Sequence, residues 1–482
     1  MDNAAVGTSE IKRVSLESTG DESRPSLRSR MVAFPGNLVE RIMHTIPILF
    51  GGGDLLACVR QRYNPNECFT SLRPVSYTMH VSGKPEIMQA FLHDGRNSEK
   101  YTVTMGDRLH PLVELFQGIF PELKLNEDHI ILTCKDSEHQ PLRKAVQPTF
   151  NGVSLDSKKK EIDQVIDNVI AKWGDNDGVV DVNPLAHNLA AEVVGRVFLG
   201  SQREDYTEVA DAVHFLVNSL DKVRYQRSPW RQILKVTEFL RLTDPMVDQN
   251  KLMKAREVIL QECNTLYDHA GEGSVIEHMQ SMDFTEEQIK GTIFTLLIAG
   301  QETTASTISY LLLKAAQSQE LQNFCREGKL SEKAVVAEAL RLSTPAALVG
   351  RIARERLKCT VEFKNVKTSP EIRIIEPGDI VVAAPYTAAR NPDQFEDPNL
   401  FNPRRWGDEV PNVQHAPERY FGSGRHECLG KNAALYELEQ VLKQCLSKYQ
   451  LSTSMENEPP LKIAFTAKLV GNVPIQFTQR ND

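Results

Sequence analysis

The residues with the clearest chemical potential lie late in the chain, in the run Phe421-Gly-Ser-Gly424-Arg-His426-Glu-Cys428-Leu-Gly430. An amphipathic stretch, KNAALYELEQVLKQCLSKY, follows at once and reads as a helix. A cysteine just ahead of a helix N-terminus is stabilised as its thiolate by the helix dipole and by free backbone N–H groups. Those N–H groups also tune the potential of a metal bound to the sulfur. Gly424 and Gly430 allow the backbone to turn sharply and to approach a flat macrocycle, which suits haem. In that arrangement Cys428 ligates the iron, Phe421 shields the sulfur from water and His426 donates to a propionate. The bland alternative is a buried cysteine in a glycine-bearing loop. At average residue frequencies, however, F-x-x-G-x-[R/H]-x-C-x-G arises by chance in a chain of this length roughly once in ten thousand.

A second constellation, Ala299-Gly300-Gln301-Glu302-Thr303-Thr304, interrupts an apolar helical stretch. Glycine and threonine weaken a helix, and a buried carboxylate is costly. A chemical role accounts for this choice: Gly300 makes room for a ligand, Thr303 offers a hydroxyl to bound dioxygen, and Glu302 relays protons towards it.

The elements around these motifs are mostly helical. Ile162, Val165, Ile166, Val169, Ile170 and Trp173 hold one buried helical face, which Gly174 closes. Thr285-Glu-Glu-Gln288 makes a capping box and predicts a helix from Glu286 to about Gln317, roughly 45 Å long. Strand patterns gather at the two ends of the chain. Val75, Tyr77, Met79 and Val81 alternate, and Pro85 suits a first helical turn. CTVEF (Cys359 to Phe363), IRII (Ile372 to Ile375) and DIVVAAP (Asp379 to Pro385) read as strands. LKIAFTAKL and VPIQFTQ, joined through Val470, Gly471 and Asn472, read as a closing hairpin. Residues 1–30 are polar and Ser/Glu-rich and read as a disordered segment. Residues 31–482 read as one large domain, mainly α with a small β region, with no linker between independent halves.

With its motifs in this order, the chain resembles the cytochrome P-450 family of haem-thiolate monooxygenases. The resemblance rests on the Cys428 run, on Ala299 to Thr304, on Glu338-Ala-Leu-Arg341 and on Phe401-Asn-Pro403-Arg-Arg405-Trp406, and covers about residues 75–480. It implies the single-domain cytochrome P-450 fold, haem b as cofactor and dioxygen as co-substrate. In such a fold Glu302 and Thr303 serve dioxygen protonation, and Glu338, Arg341 and Arg405 form a buried triad behind the haem. His139, Arg143 and Arg351 resemble propionate partners, although the tryptophan that many relatives carry in the His139 helix is absent here. Phe294, Ile298, Ala346, Ala347, Leu348, Leu469 and Val470 correspond to pocket positions, all apolar. The implied reaction is insertion of one oxygen atom into an apolar small molecule of lipid, terpenoid, steroid or secondary-metabolite type. Alternatives are a haem-thiolate isomerase, dehydratase or peroxygenase, and, from another class, a haem-based sensor or binding protein.

Composition narrows the partners. The chain has 482 residues and a net charge of −8, which argues against nucleic acid. No flavin or iron–sulfur module is recognisable, so electrons are expected from a separate redox partner, a flavin reductase or a ferredoxin. Arg419 to Lys448 carries five basic and three acidic residues, a weakly basic docking face in an acidic chain. The eight cysteines contain no CxxC, so no zinc knuckle is expected. No run reaches the roughly 18 apolar residues of a membrane span. The expectation is therefore a cytoplasmic protein without a transmembrane anchor. Residues 38–59, LVERIMHTIPILFGGGDLLACV, are the candidate for peripheral membrane contact, with Gly51 to Gly53 read as a turn.

Overall fold

A computed structural model describes residues 11–18, 69–72, 79–93, 101–102, 111–126, 129–131, 136–175, 178–226, 247–353, 355–364, 369–407, 420–463 and 466–480. The fold is mainly α with small sheets. Two compact units emerge, each assembled from discontinuous stretches. One comprises residues 1–108, 347–400 and 422–427; the other comprises 109–346, 401–421 and 428–482.

The first unit is built on two sheets. One has five strands in the order Thr70–Leu72, Met79–Ser82, Ile380–Ala383, Val349–Ala353, Tyr101–Thr102. Met79–Ser82 runs parallel to Ile380–Ala383 and all four of its residues are buried. The strand is thus central rather than half-exposed, and the Val75 and Tyr77 end of its expected alternation lies outside the described residues. Pro85 opens the helix Pro85–His93, as its fixed φ favours.

The other sheet corrects a sequence expectation. Ile11–Ser18 is a strand, antiparallel to Leu357–Phe363, which also pairs with Glu371–Ile375. A bulge between Ile11 and Arg13 brings Ile11 into phase with Val14 and Leu16, opposite Phe363, Val361 and Cys359. These three side chains meet a core containing Phe69, Ile87 and Phe91. The polar average of residues 1–30 hid this short apolar face. The remainder of that expected disordered segment lies outside the described residues, as do residues 38–59 and the Gly51 to Gly53 turn.

The second unit is helical, and its elements carry the chemistry: α1 (Asp136–Val146), α2 (Gly152–Ala171), α3 (Val182–Glu192), α4 (Thr207–Gln226), α5 (Gln249–His269), α6 (Glu286–Gln317), α7 (Glu332–Ser343) and α8 (Lys431–Lys448). α6 starts where the sequence places it. Thr285 Oγ1 accepts from the Gln288 amide and Gln288 Oε1 accepts from the Thr285 amide, at 3.3 and 3.0 Å. α3, α4, α5, α7 and α8 all pack on α6, which is why it is apolar almost all round. Its buried hydroxyls are satisfied locally: those of Thr292, Thr295, Ser306 and Thr307 each donate to the carbonyl four residues back. α2 ends at Ala171 and tightens into a 3-10 turn, Lys172–Asp175, that contains Gly174.

The expected closing hairpin forms differently. Leu461–Ile463 pairs with Ala467–Leu469, so LKIAFTAKL is a hairpin in itself. Pro474–Gln479 instead pairs with Tyr449–Ser452 and with Val179–Asp181. Turn residues flank both halves of the stretch, so spacing alone did not select the partner. Among the described residues, no helix is long and apolar enough to cross a membrane.

Candidate active site

Cys428 is the one exposed thiol among the described cysteines; Cys263, Cys325, Cys359 and Cys445 are buried. Burial pushes the thiols of Cys263, Cys325 and Cys359 up to about 12, so they stay protonated and unreactive. Cys428 lies just before Gly430, the residue that caps α8, and its amide donates to the Phe421 carbonyl at 2.8 Å. That bond closes the loop and aims the chain into α8. Gly424 has φ 72°, a left-handed conformation that glycine adopts without strain. It opens the short 3-10 turn Gly424–His426, and His426 is half-buried. Gly430 departs from expectation: its φ of −84° is open to any residue, so no sharp turn requires glycine there. What glycine does leave is clearance, because a Cβ at Gly430 would meet nothing within 4 Å. An exposed thiol ahead of a helix, beside a glycine that keeps the backbone bare, fits a thiolate-ligated haem.

On α6, most residues from Ile289 to Ala316 are buried. Leu296, Ala299, Gly300 and Thr303 are partly exposed, and their spacing sets them on one helical stripe. Thr303 Oγ1 donates to the Ala299 carbonyl at 2.8 Å, which parks the hydroxyl on the helix with its lone pairs outward. A Cβ at Gly300 would lie 2.5 Å from Val194 Cγ2, so the glycine makes room for a neighbouring side chain. Val194 belongs to the π-helical turn Val193–Phe198 that continues α3.

Glu302, on the same helix, is fully buried and meets three basic groups. Its Oε1 lies 3.1 Å from His214 Nδ1 (α4) and 3.5 Å from His187 Nδ1 (α3); its Oε2 lies 3.4 Å from Lys468 Nζ. Burial pushes the carboxyl up, but the His214 hydrogen bond and the charges of Lys468, His187 and His214 outweigh it. The net effect holds Glu302 below its usual range, as a carboxylate. Burial drives His187 down to about 3 against the pull of Glu302, so this imidazole is neutral. His214 is half-exposed, and its Nε2 lies 2.9 Å from Asn218 Nδ2. With Nε2 accepting from that amide, Nδ1–H donates to Glu302.

Glu338, Arg341 and Arg405 come together. Arg341 Nε and Nη2 donate to Glu338 Oε2 and Oε1 at 2.9 and 2.8 Å, a bidentate pair with both side chains fully buried. Arg405 Nε donates to Glu338 Oε1 at 3.1 Å. Two donors join them that sequence reasoning did not name: Trp406 Nε1 at 2.9 Å and the Asn402 amide at 2.8 Å. The short turn Pro403–Trp406 and the Asn402 that caps it supply them.

A family model described as cytochrome P450 matches residues 55–329 and 332–478. The chain belongs to the cytochrome P450 family. It is similar to cyclooctat-9-en-7-ol 5-monooxygenase of Streptomyces melanosporofaciens, with 23% identity over 71% of this chain and 77% of that one. It is also similar to the biotin biosynthesis cytochrome P450 of Bacillus subtilis, 21% identical over 74% and 82%. Among solved structures, CYP175A1 from Thermus thermophilus superposes with a TM-score of 0.66 over 93% of this chain and 99% of that one, at 18% identity. The protein is therefore a P450-type monooxygenase, an oxidoreductase that uses haem b and dioxygen.

Other residues singled out in the P450 sequence scatter over both units. His139 is buried on α1, and Arg143 Nε donates from that helix to Gln147 Oε1 at 2.9 Å. Arg351 sits on Val349–Ala353 in the first unit, where Nη1 donates to the Gly350 carbonyl. Phe294 and Ile298 are buried, and Phe294 meets Phe116 and Phe120 edge-on at 4.9 and 5.0 Å. Ala346 is exposed, whereas Ala347 is buried and Leu348 partly so in the first unit. Leu469 is buried in its hairpin, and Val470 is exposed beside it. Sequence reasoning did not name Leu296, although its spacing from Ala299 and Thr303 was visible. It also missed His187, His214 and Lys468, for which no local signal exists.

Proposed function

We propose that this cytochrome P450 inserts one atom of dioxygen into an apolar small molecule of lipid, terpenoid, steroid or secondary-metabolite type, with electrons from a separate flavin reductase or ferredoxin. The observation that carries the proposal is the Leu296, Ala299, Gly300 and Thr303 stripe. It is apolar except for one hydroxyl, that of Thr303, and the residue before it in sequence is the buried, ionised Glu302. The name of the Streptomyces relative, a monooxygenase of cyclooctat-9-en-7-ol, supports a substrate of this kind.

When bound through Cys428, haem b supplies dioxygen activation, which thiolate donation favours. The chain itself handles protons. Half-exposed His214 takes a proton from water and passes it from Nδ1 to Glu302 Oε1, 3.1 Å away. Lys468 at Oε2 keeps the carboxylate ionised and so ready to accept. Thr303 releases its Ala299 bond and offers its hydroxyl on the open side of the helix. Leu296 and Ala299 present carbon to the substrate and exclude water. Of the five donors to Glu338, those from Asn402, Arg405 and Trp406 hold α7 to the Pro403–Trp406 turn and its cap, and serve architecture.

Thr303→Ala tests the reading. The variant should keep the substrate-induced spin-state shift and NAD(P)H consumption with a suitable reductase. Product should fall about 10²–10⁴-fold, as for a positioned proton-transfer group, and hydrogen peroxide should rise. Unchanged coupling of NAD(P)H to product would overturn the assignment and favour an isomerase or dehydratase. Cys428→Ser should abolish the red-shifted Soret band of the reduced carbon monoxide form, while Cys445→Ser should keep it.

A further inference from the structure

We propose that His187, His214 and Glu302 form a binding site for a divalent late transition-metal ion, zinc being the best fit, separate from the haem iron.

The three ligands come from three helices, α3, α4 and α6, and one ligand atom from each lies within 4.8 Å of the other two. Glu302 Oε1 stands 3.1 Å from His214 Nδ1 and 3.5 Å from His187 Nδ1. In a tetrahedral zinc site with bonds of about 2.0–2.1 Å, ligand atoms lie about 3.3–3.4 Å apart. Two edges of such a tetrahedron are therefore close to their required length before any ion enters.

The surrounding groups orient the ligands. Gln301 Nε2 donates to the Ala210 carbonyl at 2.8 Å, which fixes its amide, and the same nitrogen faces His187 Nδ1 at 3.4 Å. Nδ1 offers a single lone pair, so an entering ion displaces this long contact, which Gln301 can give up because its amide stays anchored on the Ala210 carbonyl. Asn218 stands at 2.9 Å from His214 Nε2. A half-turn of its amide presents Oδ1 to Nε2–H and frees Nδ1 for the ion, the outer partner that ligating histidines use. Lys468 holds Oε2, so the carboxylate offers Oε1 alone. Two histidines, one carboxylate oxygen and a fourth position for water make a complete zinc donor set. The half-exposed face of His214 provides the entry path, whereas His187 and Glu302 are buried.

An ion there would take Oε1 from the proton path described above, yet the binding itself is read without turnover. The intact haem protein, stripped with chelator and dialysed, is titrated with zinc alone by calorimetry, and bound zinc and iron are counted by elemental analysis. The expected result is one zinc per chain beyond the haem iron. Zinc K-edge absorption should show a nitrogen and oxygen shell at about 2.0–2.1 Å with imidazole scattering, and no sulfur shell near 2.3 Å. His214→Ala should weaken this zinc by on the order of 100-fold or more, since even outer-shell losses cost 10–100-fold. Its carbon monoxide Soret band confirms the fold. His278→Ala, at an exposed histidine on another helix, should leave affinity unchanged. Absence of stoichiometric zinc, a sulfur shell on the unaltered protein, or full zinc affinity in a folded His214→Ala protein would each overturn the proposal.

Discussion

Two buried glutamates in the helical unit solve the same problem in opposite ways. Glu338 and Glu302 are both fully buried, and each carboxylate needs compensation for lost water. Glu338 receives five donated hydrogen bonds from Arg341, Arg405, Trp406 and the Asn402 amide, all between 2.8 and 3.1 Å. The donors are two guanidiniums, an indole and a backbone amide, at short distances, so the arrangement is fixed. Glu302 is held by two imidazoles and an ammonium at 3.1 to 3.5 Å. One of these imidazoles, His214, is half-exposed and open to water, while His187 is buried and neutral. Short, saturated contacts suit a joint between helix and turn; longer contacts, one of them reaching water, suit a group that must change state.

The largest expected effect breaks the first of these arrangements. Glu338→Ala removes the bidentate carboxylate partner of the buried Arg341 charge, at a cost of about 3–5 kcal/mol. The protein should lose haem or fail to fold, read by haem content and thermal melting. A stable, fully loaded variant would show that the network is dispensable. Glu302→Gln should contrast with it. The amide keeps the size of the side chain and some of its hydrogen bonding, so haem loading should survive. Product formation should fall by about 10²-fold or more, with peroxide rising, as for loss of a positioned proton-transfer group. If Glu302→Gln instead unfolds the protein, the carboxylate is architectural like Glu338.

Glu437 on α8 sharpens the comparison, because burial alone acts on it and pushes it up to about 8. It is therefore protonated in the fold at neutral pH, while an unfolded glutamate titrates near 4.5. Its contribution to stability is full below pH 4.5 and is lost as pH rises through about 8. Glu437→Gln, which cannot ionise, should accordingly raise stability at pH 8, where the buried carboxyl begins to take up charge. The gain should shrink towards pH 5. Thermal melts at both pH values check the sign. The smallest effect belongs to Arg404, next to Arg405 in sequence but paired in solvent with Glu320 at 3.3 Å. Arg404→Ala should cost less than about 1 kcal/mol by chemical denaturation. Arg405→Ala, one residue on, should cost clearly more.

Several of these features were legible in the sequence because they are local. The capping box at Thr285 fixed the start of α6, and the i, i+3 spacing of Glu338 and Arg341 set that pair on one helix face. Cys428 stood out because a glycine-bearing loop and a helix start surround it within ten residues. Family resemblance, not spacing, supplied Arg405, which lies 67 residues from Glu338.

Tertiary packing decided the rest. Glu302 meets His214 and Lys468 across 88 and 166 residues, and Gln301 meets His187 across 114. No helical or strand period relates positions so far apart, and each histidine by itself is an ordinary helix residue. The same holds for Gly300, whose missing side chain is explained by Val194 on another element. It holds as well for Ile11–Ser18, which became a strand because Leu357–Phe363 offered it an edge and a core. Local rules act over one or two turns of chain, so they specify caps, faces and loops; which faces meet, and so which charges compensate a buried carboxylate, depends on how those elements pack.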